Sequence, residues 1–189
     1  MKQILTFILL TFLCLPSQAQ EKIYTVDNIP KVHLQNKLRY VCNPADILSQ
    51  AACDSIDRML YNLEEKTGIE TVVAVVPSIG QEDCFDFAHQ LLNQWGVGKK
   101  GKNNGLVILL VTDQRCIQFY TGYGLEGDLP DAICKRIQTK NMIPFLKTGN
   151  WDAGMVSGIR AVCQRLDGSM VNDAVNDEED ILSLIHISE

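Results

Sequence analysis

Apolar residues recur at helical spacing between residues 49 and 66. The stripe consists of Ile56, Met59, Leu60 and Leu63. Ser49 is a suitable N-cap, because its hydroxyl can accept a hydrogen bond from a free backbone N–H of the first turn. Gly68 can take the left-handed conformation that commonly ends helices. The pattern therefore predicts a helix from Ser49 to about Lys66.

Two runs that are almost wholly apolar predict strands buried on both faces, as in a parallel sheet. The first run covers residues 69–76 and ends at Pro77, and the second covers residues 106–111. A four-residue connection, 112–115, is too short for a crossover, so a third strand at 116–120 is expected to be antiparallel to the second. A short edge strand is predicted near residues 38–42.

Three further helices complete the predicted fold. The second starts near Gln81 and turns an inner face to the sheet, formed by Phe85, Ala88, Leu92 and Trp95. The third is capped by Asp128 and stops before Pro144, and the last runs from Trp151 to Leu166. Strand–helix–strand order gives a right-handed crossover. We therefore expect a single-domain, three-layer α/β/α sandwich whose small mixed sheet combines a parallel pair with an antiparallel hairpin.

The chain begins with the layout of a secretory signal peptide, residues 1–19. Lys2 precedes an apolar run, 4–15, and the small residues Ser17 and Ala19 stand at the −3 and −1 positions of a cut before Gln20. The run is shorter than the roughly 18 residues that span a bilayer, and no later segment is long enough either. The protein is therefore predicted to be exported, to the periplasm or the outside.

The rest of the chain divides into three parts. Residues 20–37 are a polar lead-in, residues 38–167 form the α/β domain, and residues 168–189 form an acidic tail, disordered or truncated, to which we assign no function. No membrane-spanning segment is expected in the mature chain.

Composition limits the classes of partner and redox chemistry. Of 189 residues, 46% are hydrophobic, which suffices for a core, and the formal net charge of −6 argues against nucleic-acid binding. Six cysteines follow the signal peptide, and their pairing stays open. Cys84, Cys134 and Cys163 fall in predicted helices, which favours buried thiols for them.

Several segments resemble the TPM domain, named for thylakoid lumen protein, photosystem II repair protein and a worm receptor modulator. They are Val41-Cys42-Asn43-Pro44-Ala45-Asp46-Ile47-Leu48-Ser49, Trp95-Gly96-Val97-Gly98 with Asn104-Gly105, and Gly122-Tyr123-Gly124-Leu125-Glu126-Gly127 with Leu129-Pro130-Asp131-Ala132. The resemblance covers about residues 38–166. It implies a compact α/β fold, an exported or lumenal location, divalent-metal binding in some members and acid phosphatase activity in plant lumenal members. One departure is Asn43, where the family usually has Asp, so that any metal site there loses a negative charge.

The first candidate site is a metal site made by Glu126 and Asp131, with Asn104 as a third oxygen donor. The strand after Asn104 and the antiparallel strand before Gly122 place both loops at one end of the sheet. Carboxylate and amide oxygens suit Ca²⁺ or Mg²⁺. Alternatively, the loop glycines serve only left-handed turns, and Asp131 only complements a helix N-terminus. The sequence leaves both readings open.

A second candidate site lies at the opposite end of the sheet and consists of Asn43, Glu82, Asp83 and Asp113. Here we favour a structural role, in which Asn43 supports a turn and the two acids of residues 82–83 complement a helix N-terminus. Arg136 is a candidate ligand-binding residue, because a guanidinium can bind phosphate through two hydrogen bonds. A solvated position on the outer face of its helix is the alternative.

Three hypotheses for function follow. The leading one is an exported accessory module that binds a divalent cation, Ca²⁺ or Mg²⁺, and/or an unknown protein partner in the cell envelope, without catalysing a reaction. It is motivated by the lack of a clear nucleophile–base pair. The alternative is a metal-dependent acid phosphatase acting on phosphomonoesters. The third is a purely structural interaction domain.

Overall fold

A four-stranded sheet in the order β1-β2-β3-β4 runs through the middle of the protein. The computed structural model describes residues 22–169, in which the strands are Val41–Cys42 (β1), Glu70–Val76 (β2), Gly105–Val111 (β3) and Cys116–Thr121 (β4). β2 pairs in parallel with β1 and with β3, whereas β4 pairs antiparallel with β3. The predicted mixed sheet is confirmed.

The helices occupy both faces of the sheet. They are Val32–Gln35 (α1), Gln50–Thr67 (α2), Cys84–Trp95 (α3), Asp131–Ile137 (α4), Ile143–Leu146 (α5) and Trp151–Leu166 (α6). A 3₁₀ turn, Tyr123–Leu125, follows β4, and a π-helical turn, Gln138–Met142, joins α4 to α5. None of the helices within residues 22–169 is both long and apolar enough to cross a bilayer.

The predicted ends of α2 are confirmed. The Ser49 hydroxyl accepts a hydrogen bond from the backbone N–H of Ala52, and Gly68 ends the helix with φ 71°. The predicted limits of the next-to-last helical segment were wrong at both ends. α4 begins at Asp131, with Pro130 and not Asp128 at its N-cap, and helical structure continues past Pro144. Pro144 lies in the first turn of α5, where its missing N–H breaks no hydrogen bond.

Two hydrophobic cores lie on opposite faces of the sheet and confirm the three layers. One core joins the sheet to α2, α4 and α6. The other joins it to α3 and to residues of the segment before β1, whose Tyr24, Val26 and Ile29 are buried. Ile23 also forms a parallel bridge with Ser78 at the end of β2. The predicted signal peptide, 1–19, and all but the first two residues of the predicted tail, 168–189, lie outside the described residues.

The inner face of α3 differs from the prediction. Phe85 is 53% exposed and Leu92 is half-buried, whereas Phe87 and Leu91 are fully buried. Both stripes are apolar, so the sequence alone does not fix the rotation of the helix. Cys84 was expected to be a buried thiol, but it forms a disulfide with Cys116 at the start of β4. This bond fixes the first residue of α3 against the sheet.

Candidate functional site

Two loops interlock through their backbones at the end of the sheet where β3 begins and β4 ends. Gly122 N–H donates to the Gly105 carbonyl at 2.8 Å, and Gly124 N–H donates to the Asn103 carbonyl at 3.0 Å. A Cβ on Gly122 would lie 2.3 Å from the Asn103 oxygen, and one on Gly124 would lie 2.1 Å from the Lys102 oxygen. Both distances are far below van der Waals contact, so these positions need glycine.

A second pair of glycines, Gly98 and Gly105, lets the backbone at the start of the first loop touch the backbone that follows the loop. A Cβ on Gly98 would lie 2.6 Å from the Gly105 nitrogen, and one on Gly105 would lie 2.1 Å from the Val97 oxygen. The two loops, residues 97–104 and 122–131, do lie at one end of the sheet, as the sequence predicted. Their glycines serve close backbone packing.

Asn104 has a structural position in this interlock. Its side chain is buried, its Oδ1 accepts from the Lys99 backbone N–H at 2.9 Å, and its Nδ2 donates to the Gly68 carbonyl at 2.7 Å. The amide therefore fastens the loop to the end of α2. Both ends of the amide are engaged in this contact, and the predicted role of Asn104 as a third metal ligand stays a prediction.

Glu126 and Asp131 remain on the surface of the second loop. Glu126 follows the 3₁₀ turn and Asp131 opens α4, and both residues are exposed. Neither carboxylate has a side-chain hydrogen bond or ion pair within residues 22–169. Across that part of the chain, no group of three or more His, Cys, Asp and Glu side chains is placed to hold a metal ion. A cation at this loop would rest on two carboxylates and backbone oxygens.

An aromatic ring projects from the middle of the interlock. Tyr123 is 79% exposed, although the glycines on either side of it are fixed by backbone contacts. Around it, the first loop carries Lys99, Lys100 and Lys102, and the second carries Glu126, Asp128 and Asp131, all exposed. We call Tyr123 and these six charged residues the paired-loop surface.

The second predicted set has intramolecular partners throughout. Asp83 caps α3 and accepts from the N–H groups of Phe85 and Asp86. Glu82 accepts from the Gln90 side chain, and Asp113 accepts from the Gln114 backbone N–H at 2.6 Å. Asp83 thus has a capping role, as the sequence favoured, whereas Glu82 bonds a side chain of α3 and Asp113 bonds the next residue of its own turn.

Asn43, the departure from the family pattern, uses both ends of its amide. Its Oδ1 accepts from the N–H groups of Ile47 and Leu48, and its Nδ2 donates to the Leu48 carbonyl at 2.8 Å. An ionised Asp at this position could make the first two bonds but not the third, because it has no donor. Asn43 therefore closes the turn before α2 by a contact that needs the amide.

Arg136 lies on the exposed side of α4, and it already has an intramolecular interaction. Its predicted role in binding a ligand stays a prediction.

A recess formed by residues of the described range was missed by the sequence analysis. It is a cavity of about 540 Å³ beside the β3–β4 hairpin, under α5 and the start of α6. A smaller one, of about 210 Å³, lies beside β1 and includes Asn43 and Asp46. The larger cavity went unnoticed because α5, which forms one wall, was not predicted. The residues that line the larger cavity are mostly apolar, and two of them, Arg115 and Lys147, are cationic.

The fold is that of a known domain class. The profile of the TPM domain matches residues 41–165, and the chain belongs to this family. The chain is similar to the chloroplastic UPF0603 proteins of Oryza sativa subspecies indica and japonica, each 22% identical over 130 residues, which are 68% of this chain and 44% of theirs. The chain thus spans less than half the length of these curated relatives.

Among solved structures, the N-terminal domain of a protein from P. gingivalis is 41% identical, with a TM-score of 0.73 over 78% of this chain and 94% of that one. The BA42 protein of Bizionia argentinensis is 19% identical, with a TM-score of 0.56 over 66% of this chain and 84% of that one. The N-terminal domain of cg2496 from Corynebacterium glutamicum is 16% identical, with a TM-score of 0.55 over 75% and 86%. The last two likenesses concern the fold alone.

Proposed function

We propose that the chain is an exported accessory module that binds a protein partner of the cell envelope through the paired-loop surface. The observation that carries the proposal is Tyr123, a large aromatic ring held out in solvent by a loop that cannot relax around it. Rigid, exposed aromatic residues are typical anchors of protein interfaces, because little conformational entropy is lost when they are buried.

The charges around Tyr123 indicate what kind of partner fits. Lysines on one loop and carboxylates on the other give the surface both signs side by side, so that a partner needs an apolar pocket for the ring and a complementary charged rim. Such charges mainly determine how a partner is oriented, and they contribute less to the affinity.

Export is supported by two independent features. Residues 1–19 have the pattern of signal peptides, which direct secretion, and a disulfide such as Cys84–Cys116 persists in oxidising compartments.

Site-specific photo-crosslinking in the intact cell tests the partner proposal. A photoreactive phenylalanine analogue at position 123 should give one discrete adduct with an envelope protein. The same analogue at position 61 is the control, since Tyr61 is another surface tyrosine, 40% exposed, on α2. Adducts at both positions, or at neither, contradict the proposal. Tyr123→Ser should abolish co-purification of the crosslinked protein, while Tyr61→Ser should not.

A divalent cation is the second ligand that we propose for this surface. Glu126 and Asp131 are exposed carboxylates without side-chain partners within the described chain, so a cation would not have to displace an existing ion pair. Because Asn104 is engaged elsewhere, we expect weak binding. Ca²⁺ should shift the amide resonances of residues 126–131 at millimolar concentrations.

The cation experiment has a matched control and separates the rival functions. Glu126→Gln or Asp131→Asn should remove the shifts, whereas Asp113→Asn, at the other end of the sheet, should not. Shifts that persist in both loop variants rule out this site. Turnover of phosphomonoesters with added Ca²⁺, Mg²⁺ or Mn²⁺, lost in Glu126→Gln, would replace the accessory role by the phosphatase alternative. A protein without shifts and without a crosslinked partner would be the purely structural domain.

A further inference from the structure

The cavity beside the β3–β4 hairpin has the chemistry of a ligand site. Its walls are apolar, formed chiefly by Leu110, Ile117, Ile143, Leu146 and Trp151. Its volume, about 540 Å³, falls within the roughly 300–1,000 Å³ typical of small-molecule sites. It lies beyond the carboxyl end of β3, the side of parallel strands at which ligands of open α/β sheets bind.

Two cationic side chains stand at the edge of this apolar cavity. Arg115 and Lys147 both line it, and its lining residues include no carboxylate. Neither cation has an ion pair with any residue of the described range 22–169. The cavity therefore offers an apolar interior and unneutralised positive charge at one place.

The backbone holds Arg115 in an unfavourable conformation for its residue type. Arg115 has φ 50°, the left-handed region, at the last position of the hairpin turn, where its N–H donates to the Thr112 carbonyl. Glycine or asparagine is usual there, and a residue with a long side chain is strained in that region. A long cationic side chain kept at this position points to a role for the guanidinium at the cavity.

The opposite wall is fixed by close packing. Gly154 and Gly158 of α6 leave room for Leu146 and Met142, since a Cβ on Gly154 would lie 2.6 Å from Leu146 Cδ2. Directly before α5 the chain departs from α-helical geometry in the π-helical turn Gln138–Met142, a feature that is frequent at functional sites. The wall is thus part of the folded core and is formed before any ligand arrives.

We propose that this cavity binds an amphipathic organic carboxylate, with the apolar body inside and the carboxylate at Arg115 and Lys147. An apolar body explains the walls, and one anionic group explains two cations that lack partners in the described chain. A guanidinium pairs with a carboxylate through two parallel hydrogen bonds, which also fixes the direction in which the ligand enters. This site is separate from the paired-loop surface, which lies at the other end of the sheet.

Binding of decanoate to the purified full-length chain tests the proposal, with Trp151 in the cavity wall as reporter. We expect a saturable change in tryptophan fluorescence below the concentration at which decanoate forms micelles, together with a rise in melting temperature. 1-Decanol, which has the same body without the charge, should bind at least tenfold more weakly, and acetate should give no change.

Three variants and one control variant decide which residues are responsible. Arg115→Asn, which tolerates the left-handed backbone, should weaken decanoate binding at least tenfold, and Lys147→Gln should weaken it by a smaller factor. Arg58→Gln on α2 removes a cation that lines a different recess and should change nothing. Ile117→Trp should fill the cavity and abolish binding in a folded protein, as judged by its melting transition.

Three results would each overturn the proposal. They are no saturable signal in the wild-type chain, decanol binding as tightly as decanoate, and equal affinity in the wild-type and Arg115→Asn proteins. Should Arg115→Asn not fold, Lys147→Gln and Ile117→Trp together still decide, because unchanged affinity in both of them would exclude the cavity.

Discussion

At the scale of single residues, the paired-loop surface depends on positions where one backbone touches another. We predict that Gly124→Ala lowers the free energy of unfolding by about 1–3 kcal/mol, because the added Cβ meets the Lys102 carbonyl, which cannot rotate away as a side chain would. Urea unfolding measures the change.

Gly127 provides the matched control for this prediction. It lies three residues further along the same loop, and a Cβ there would meet nothing within 4 Å. Gly127→Ala should therefore stay within about 0.5 kcal/mol of the wild type. Equal losses in the two variants would show that the loop is sensitive to any side chain, and that the interlock is not the cause.

The residues of these two loops also show which features of the site could be predicted from the sequence. Strand order was enough to predict that the loops around Asn104 and Gly122 share one end of the sheet. The sequence did not show which role the loop glycines have. A glycine that exposes carbonyls to a metal and a glycine that lets two backbones touch both lack a Cβ for the same reason. The contact of Asn104 with the Gly68 carbonyl was not visible in the sequence, because the two residues are 36 positions apart in the chain.

At the scale of elements, the Cys84–Cys116 bond joins the first residue of α3 to the first residue of β4. The two cysteines are 32 residues apart, and closing a loop of that length stabilises a folded protein by about 3–4 kcal/mol in the chain-entropy account. We predict that a reductant lowers the melting temperature of the wild-type protein by several degrees.

The double variant Cys84→Ser/Cys116→Ser tests whether the Cys84–Cys116 bond causes the effect of the reductant on the melting temperature. It should melt at a lower temperature than the oxidised wild type, and the reductant should not lower its melting temperature further. The remaining described cysteines, Cys42, Cys53, Cys134 and Cys163, are free thiols, and burial raises the pKa of Cys134 to about 11. Reductant sensitivity that survives in the double variant would contradict the assignment.

An element was predicted well where its apolar residues allow one orientation toward the core. It was predicted poorly where they allow two. α2 has one apolar stripe, a Ser49 cap and a Gly68 end, and its predicted limits agree with the structure within a residue. α3 has two overlapping stripes, and the structure buries Phe87 in the core while Phe85 stays exposed. Proline misled the prediction near residue 144, because the same residue that stops one helix can open the next.

At the scale of the whole molecule, one face of the sheet is covered by α3 together with the segment before β1. His33 of α1 belongs to this contact and stacks on Trp95 at the end of α3, with ring centroids 5.0 Å apart. Burial lowers the pKa of His33, an effect that the Trp95 backbone carbonyl and Glu70 offset only in part. The folded protein therefore favours the neutral imidazole.

This contact predicts a loss of stability in mild acid. Because the pKa of His33 is lower in the folded state than in the unfolded state, the unfolded chain binds the proton first as the pH falls below about 6.5. The stability that His33 contributes is present above that pH and is lost as the pH falls toward the folded-state pKa. The urea midpoint should be lower at pH 5 than at pH 7.5.

His33→Phe isolates this residue from the carboxylates that also titrate in acid. Phenylalanine keeps a flat ring against Trp95 but takes up no proton, so the variant should lose less stability than the wild type between pH 7.5 and pH 5. His89→Phe is the control, because the ring of His89 on α3 lies against Tyr120 and takes no part in the His33–Trp95 stack. If the wild-type and His33→Phe proteins lost the same stability between pH 7.5 and pH 5, the prediction would be wrong. Protonation of His33 would then not loosen the segment before β1.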